Sequence, residues 1–315
     1  MALIIVAIVA IAALAGAASY MTPTKPAATT AAPMTSPTPT ATVPAQKYSI
    51  NQKGSDTLLV LAQRWAEAYM TKHPEAQIAV SGGGSGTGIA ALINKQIDVA
   101  DASRNINPKE INDAKANGVN PVEWKVAVDG ISVIVHPSNP LNTLTLQQLK
   151  AIYNGSYSNW QRVSGKDSPI VTYGRQSNSG TYVYWQEHIL QNQKYRTDMQ
   201  SLNGNSDIAD AVARDSKAIG YVGVAYATAR KGEVKILSVQ EKADAPAYEP
   251  TSTNIASGKY PISRYLFIYT NGVPTGGTKE YLQFIISDEG QKITEEVEYI
   301  PLPPEIRQEQ LAKLK

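Results

Sequence analysis

From Asp56 the run DTLLVLAQRWAEAYMTKH sets Leu58, Leu59, Leu61, Ala62, Trp65, Ala66 and Tyr69 on one helical stripe. Pro74 follows where a helix must stop, and Ser55 or Asp56 is the expected N-cap. Next come an alternating strand AQIAVSG, a glycine run GGGSGTG over 82–88, a helix through IAALINKQ and an apolar strand at DVADAS. A second series starts at Gly130: strand ISVIVHP, helix TLQQLKAIY, a loop over 154–168, strand PIVTYG and helix TYVYWQEHIL. Helix DIADAVAR, strand AIGYVGVAY, strands EVKIL and RYLFIYT and one long helix EYLQFIISDEGQKITEEV complete the pattern. This β–α–β rhythm predicts a mostly parallel sheet with helices on its faces, arranged as two α/β lobes, one of them discontinuous. Trp65 and Trp185, each inside a helical stripe, are expected in the core.

The N-terminal end breaks this pattern. Residues 1–20 begin with a stretch free of charge and proline, long enough as a helix to cross the hydrocarbon of a bilayer at about 1.5 Å per residue. Two readings stay open, an uncleaved membrane anchor and a cleaved signal peptide; self-association through the same helix is a third use. Residues 21–46 hold eight Thr and six Pro, a composition that buries no core and favours an extended linker with hydroxyls open to glycosylation. The body, from Lys47 onward, is then extracytoplasmic on either reading.

Composition narrows the function. Lys and Arg number 29 against 27 Asp and Glu, so no clustered positive excess marks a nucleic-acid partner. The absence of cysteine removes disulfides, thiolate catalysis and Cys-ligated metals. Three histidines sit without spaced partners, so neither a metal centre nor an activated nucleophile is visible and no cofactor or enzymatic activity is expected. The sequon Asn154-Gly155-Ser156 lies in the predicted loop.

Three places share one arrangement, small hydroxyl or glycine residues that close a strand and open a helix: Gly54-Ser55-Asp56-Thr57, Gly84-Ser85-Gly86-Thr87-Gly88 and Ser179-Gly180-Thr181. Each offers free backbone N–H groups, a hydroxyl and the positive end of a helix dipole, which suits an anion. The plain alternative at any one of them is an ordinary helix cap. Three together, with Arg175 four residues before Ser179, point to an oxyanion site. The glycine run lacks the Lys-Ser/Thr of a P-loop and the spacing of a dinucleotide loop, which disfavours nucleotides.

The stretches GSDTLLVLAQRWAEAY, GGGSGTGIAALINKQIDVADASR, YGRQSNSGTYVYW and AIGYVGVAYA resemble, in order, the phosphate-binding proteins of phosphate ABC transporters, within the type II periplasmic-binding-protein fold. The resemblance implies two lobes with the ligand in the cleft between them, lobe one formed by 47–129 and 224–315 and lobe two by 130–223. It carries the family's R-x-x-x-S-G-T element onto Arg175, Ser179, Gly180 and Thr181, and the other phosphate contacts onto Asp56, Thr57, Ser85 and Ser103. Well-known members carry an Asp after the strand DVADAS, where this chain has Ser103 followed by Arg104. Arg104 is therefore a candidate contact, with a salt bridge at the cleft rim as the alternative. The implied function is extracytoplasmic capture of inorganic phosphate and delivery to an ABC permease. Other tetrahedral oxyanions (tungstate, molybdate, sulfate), an extracellular phosphatase, or a surface filament or adhesin that keeps the fold, are the alternatives.

Overall fold

The computed structural model describes residues 46–164 and 166–315. The anchor or signal segment 1–20 and the linker up to residue 45 lie outside the described residues. The first β–α–β series appears as β1 (Tyr48–Gly54), α1 (Leu59–Lys72), β2 (Ala76–Ser81), α2 (Ser85–Ile93) and β3 (Val99–Ala102), with β1 parallel to both β2 and β3. The α1 stripe turns Leu61, Ala62, Trp65, Ala66 and Tyr69 inward. Residues 104–129, unassigned from the pattern, carry α3 (Pro108–Ala116) and much of β4 (Pro121–Val135). A capping box between Asn107 and Glu110 opens α3.

The second series follows as β5 (Thr143–Thr145), α4 (Leu146–Tyr153), the short α5 (Gln161–Ser164), β6 (Val171–Arg175) and α6 (Gly180–Tyr184). The helix expected over TYVYWQEHIL widens after α6 into a π-helical turn, Trp185–Ile189. There Trp185 stacks on Tyr221 with ring centroids 4.3 Å apart. Then come β7 (Gln200–Leu202), α7 (Asn205–Arg214) and β8 (Ala218–Gly223), where the strand expected over AIGYVGVAY ends and α8 (Val224–Ala229) begins.

The chain continues through β9 (Lys235–Gln240), β10 (Ala247–Tyr248), α9 (Ser252–Ala256) and β11 (Ser263–Asn271), and finishes with α10 (Gly276–Ile286), α11 (Asp288–Glu296) and α12 (Pro304–Lys313). The one long helix expected over 280–297 is thus two. Ser287 adopts an extended backbone and its hydroxyl accepts from the Gly290 N–H at 3.2 Å. Gly290 is held so close to α10 that a Cβ there would lie 2.2 Å from the Phe284 carbonyl oxygen.

Strand order is β2-β1-β3-β11-β4-β8-β6-β7. The sheet is mixed, because β11 runs antiparallel to β3 and β4, and β4 antiparallel to β8. β4 crosses between the lobes. Its residues 121–130 pair with β11, and its residues 131–135 pair with β8 and in part with β9. The first core gathers Ile50, Leu61, Trp65, Trp124, Ile268 and Tyr281; the second gathers Ile131, Leu149, Trp185, Tyr221, Leu237 and Ile262. Part of the stretch 224–262, expected with lobe one, packs on the second core: β9 pairs with β4 and β5, and Leu237, Val239, Ile255 and Tyr260 join that cluster. Among the described residues no helix is long and apolar enough to cross a membrane.

Candidate functional site

The cleft is built at the ends of β1, β3 and β6. Gly54 ends β1 with φ of 150°, and a Cβ there would lie 2.1 Å from the Asp101 carbonyl oxygen, so only glycine lets β1 close on β3. The turn after it donates Leu58 N–H to the Ser55 carbonyl at 3.1 Å and Leu59 N–H to the Asp56 carbonyl at 3.2 Å. Those main-chain bonds take the place of the cap expected from Ser55 or Asp56, and α1 begins with no side-chain cap.

The Asp56 carboxylate is thereby free to reach lobe two. Its Oδ2 accepts from the Asn205 N–H at 2.8 Å and from Asn205 Nδ2 at 2.6 Å, and stands 3.3 Å from Arg175 Nη1. Asp56 thus meets the amide end of α7 across the cleft rather than its own helix.

Ser85, the first residue of α2, accepts through Oγ from the Ser103 N–H at 3.0 Å, and the two hydroxyls lie 3.3 Å apart. Both are fully buried. Gly180 of lobe two closes on them, since a Cβ there would fall 2.4 Å from Ser85 Oγ and 2.6 Å from Ser103 Oγ. Ser179 caps α6, accepting from Thr181 N–H at 3.2 Å and Tyr182 N–H at 3.4 Å. Thr181 Oγ1 meets Thr57 Oγ1 at 2.8 Å.

Arg175 ends β6 and is 2% exposed. Its Nη2 donates to the Asn203 carbonyl at 2.7 Å, while Nε and Nη1 are buried without a hydrogen-bond partner. Asp56, Thr57, Ser85, Ser103, Arg175, Ser179, Gly180 and Thr181 therefore converge from both lobes. Arg104 is held within lobe one: its guanidinium grips Glu110 at 2.8 and 2.6 Å and donates to the Asn105 carbonyl, while its Nε is buried without a hydrogen-bond partner. This salt bridge also steadies the α3 cap, whose Glu110 it holds.

Sequence reasoning missed Arg264 and Asn205. Arg264 of β11 faces Asp129 of β4 in register; its Nη2 lies 3.2 Å from Asp129 Oδ2 and donates to Thr181 Oγ1 at 2.8 Å. Burial pushes the Asp129 carboxyl up and the Arg264 guanidinium down, and each ion opposes the other's shift. Arg264–Asp129 is thus a second buried ion pair beside Arg175–Asp56. The available signal was one acidic residue inside the apolar run VAVDGISVIV and one basic residue inside SRYLFIYT. Asn205 gave no signal; it joins the lobes by donating to Asp56 and accepting the Gly223 N–H at 3.1 Å.

This arrangement offers hydroxyls, helix-opening amides and one guanidinium to an anion, in a dry setting that strengthens each bond. The three histidines are engaged elsewhere: His73 stacks on Tyr69, His136 bonds Ser138 and His188 stacks on Tyr184. Asp101, the other buried carboxyl of lobe one, turns instead to Gln52 Nε2 at 2.8 Å.

The fold and its cleft define a two-lobed binding protein, and the sequence matches the PBP superfamily domain over residues 27–289. It is 30% identical over 268 residues to the phosphate-binding protein PstS of Staphylococcus aureus, covering 83% of this chain and 81% of that one. With PstS of Pseudomonas aeruginosa it shares 29% identity over 288 residues, 84% of this chain and 87% of that one. Among solved structures, a phosphate ABC transporter substrate-binding protein of Clostridium perfringens with bound phosphate superposes with a TM-score of 0.73 at 30% identity, covering 81% of this chain and all of that one. An ABC-type phosphate transport receptor of Vibrio cholerae gives 0.65 at 30% identity, with the same coverages. The chain belongs to the PBP superfamily and, within it, to the family of phosphate-binding proteins typified by PstS.

Proposed function

We propose that this chain is an extracytoplasmic receptor that binds one inorganic phosphate in the cleft and delivers it to an ABC permease, without chemistry on the anion. The observation that carries the reading is Arg175: a guanidinium buried at the cleft with two nitrogens lacking hydrogen-bond partners, one of them 3.3 Å from the Asp56 carboxylate. The relatives named as phosphate-binding proteins support the same ligand. In this reading Asp56, Thr57, Ser85, Ser103, Arg175, Ser179, Gly180 and Thr181 contact the anion, and Arg104 acts from the rim. Asp56 accepts the proton that phosphate retains at neutral pH. The lobes divide where β4 and the start of β11 cross, with β9 and α9 moving with lobe two. Residues 1–20 hold the receptor at the membrane and 21–46 space it from the surface.

Calorimetry on the full chain, stripped of anion, tests the ligand. One phosphate per chain, bound equally well in the presence of a chelator, is the expected result. Tighter binding of tungstate or molybdate, or a need for divalent metal, overturns it. Alkaline carbonate extraction tests the anchor: the full chain stays with the membrane, whereas a mature form starting near Tyr20 and released to the medium identifies a signal peptide.

A further inference from the structure

The glycine run is only partly explained by the anion site. Of its members Ser85 faces the cleft hydroxyls, yet Gly83, Gly84 and Gly86 surround something else, the exposed residue Asn178 of lobe two. Asn178 Nδ2 donates to the Gly83 carbonyl at 2.9 Å and lies 3.4 Å from Thr87 Oγ1. In the other direction the Gly86 N–H donates to the Asn178 carbonyl at 2.9 Å. An amide at the opening of α2, of the kind that could serve an anion, is thus engaged by the opposite lobe.

Glycine is required here for two reasons. Gly83 and Gly84 have φ of 115° and 94°, a region that side chains disfavour. A Cβ on Gly84 would also lie 2.8 Å from the Asn178 carbonyl oxygen, and one on Gly86 3.2 Å from it. The run is anchored in lobe one by the Gly84 N–H, which donates to the Gly54 carbonyl at 2.8 Å, and by Thr87 Oγ1, which donates to the Gly83 carbonyl at 2.8 Å.

We propose that Asn178 and the glycine run form a clasp that holds the two lobes shut, and that it sets the rate of anion release without touching the anion. The inference rests on the phosphate reading for its kinetic consequence only. Clasp and site are interleaved in sequence: Asn178 directly precedes Ser179, and Gly84 and Gly86 flank Ser85. Closing the clasp therefore brings the two donor sets together, and an anion held by both sets favours the clasp. This mutual support is a coupling between closure and binding. The observed affinity falls with the fraction of molecules in the closed state, and a contact made only on closure acts mainly on dissociation.

The chain has no cysteine, so Lys115→Cys and Lys194→Cys, both at exposed positions, introduce one spin label per lobe into the full chain. Pulsed distance measurements without and with inorganic phosphate are combined with stopped-flow binding, for the parent, Asn178→Ala and Gly84→Ala. Expected in Asn178→Ala is phosphate release accelerated roughly tenfold, the effect of losing one or two hydrogen bonds, with the association rate within about twofold. The ratio of phosphate to sulfate affinity stays that of the parent, and the anion-free distances shift to longer values. Gly84→Ala gives the same pattern; if it fails to fold, Asn178→Ala decides alone. Unchanged release and unchanged anion-free distances in Asn178→Ala overturn the clasp, as does a changed phosphate-to-sulfate ratio at unchanged distances. A parent that takes no phosphate overturns the functional reading, while the anion-free distances still decide the clasp.

Discussion

Arg175 enters the cleft with one nitrogen fixed on the Asn203 carbonyl and with Asp56 3.3 Å from another. Removing it strips the anion of its charged partner and leaves Asp56 facing the cleft without a countercharge. Arg175→Ala should therefore lose about 2–5 kcal/mol of phosphate affinity by calorimetry; parent-like affinity would remove lobe two's half of the site. In the proposed site Asp56 has a different role. A carboxylate bonds the protonated oxygen of phosphate and repels sulfate, which has no proton to give. Asp56→Asn keeps an oxygen for the Asn205 N–H, so closure survives while the charge goes. Sulfate should gain on phosphate in this variant, and an unchanged affinity ratio would reduce Asp56 to an interlobe contact. Arg175 and the Ser179–Thr181 opening were legible in the sequence because they form one contiguous motif. Arg264 was not, because its partner Asp129 lies 135 positions away and only the β4–β11 register brings them together.

At the scale of elements, hydrophobic period located most strands and helices but not their ends. The stripe through EYLQFIISDEGQKITEEV is continuous, and nothing in its period reveals that Ser287 turns the backbone and caps a new helix. AIGYVGVAY reads as one strand, yet the last of its residues wind into α8. Period also says nothing of a polar residue within a buried strand, such as Asp101 of β3. Burial pushes this carboxyl up to about 7, against the lowering effect of the Gln52 hydrogen bond. The folded chain thus keeps a proton that the unfolded chain releases near pH 4. Stability from this group is fully present below about pH 4 and is lost as pH rises towards about 7. Asp101→Asn stays neutral and keeps an oxygen for Gln52. In urea titrations the parent should lose up to roughly 4 kcal/mol more than Asp101→Asn between pH 4 and 8; equal losses would show that Asp101 titrates elsewhere.

At the scale of the whole molecule, the resemblance placed two lobes around a cleft, but the return of the chain at β11 rather than at 224 depended on the pairing of β9 with β4. Long-range strand order of this kind leaves no local trace in sequence. Because β4 belongs to both halves of the sheet, neither lobe keeps its core if the other loses that strand. Calorimetric unfolding should accordingly show one transition, and saturating phosphate should raise it as a unit; two separated peaks would mean that the lobes melt independently. The same strand also shapes motion. At Gly130, where β4 changes partners, a Cβ would strike Ile255 Cδ1 at 2.4 Å, so the pivot is a bare length of backbone held in ladders on either side. Such a joint behaves as a torsion bar rather than a string. It passes a twist of one half of the sheet directly into the other, so the ladders on either side of Gly130 turn as whole bodies.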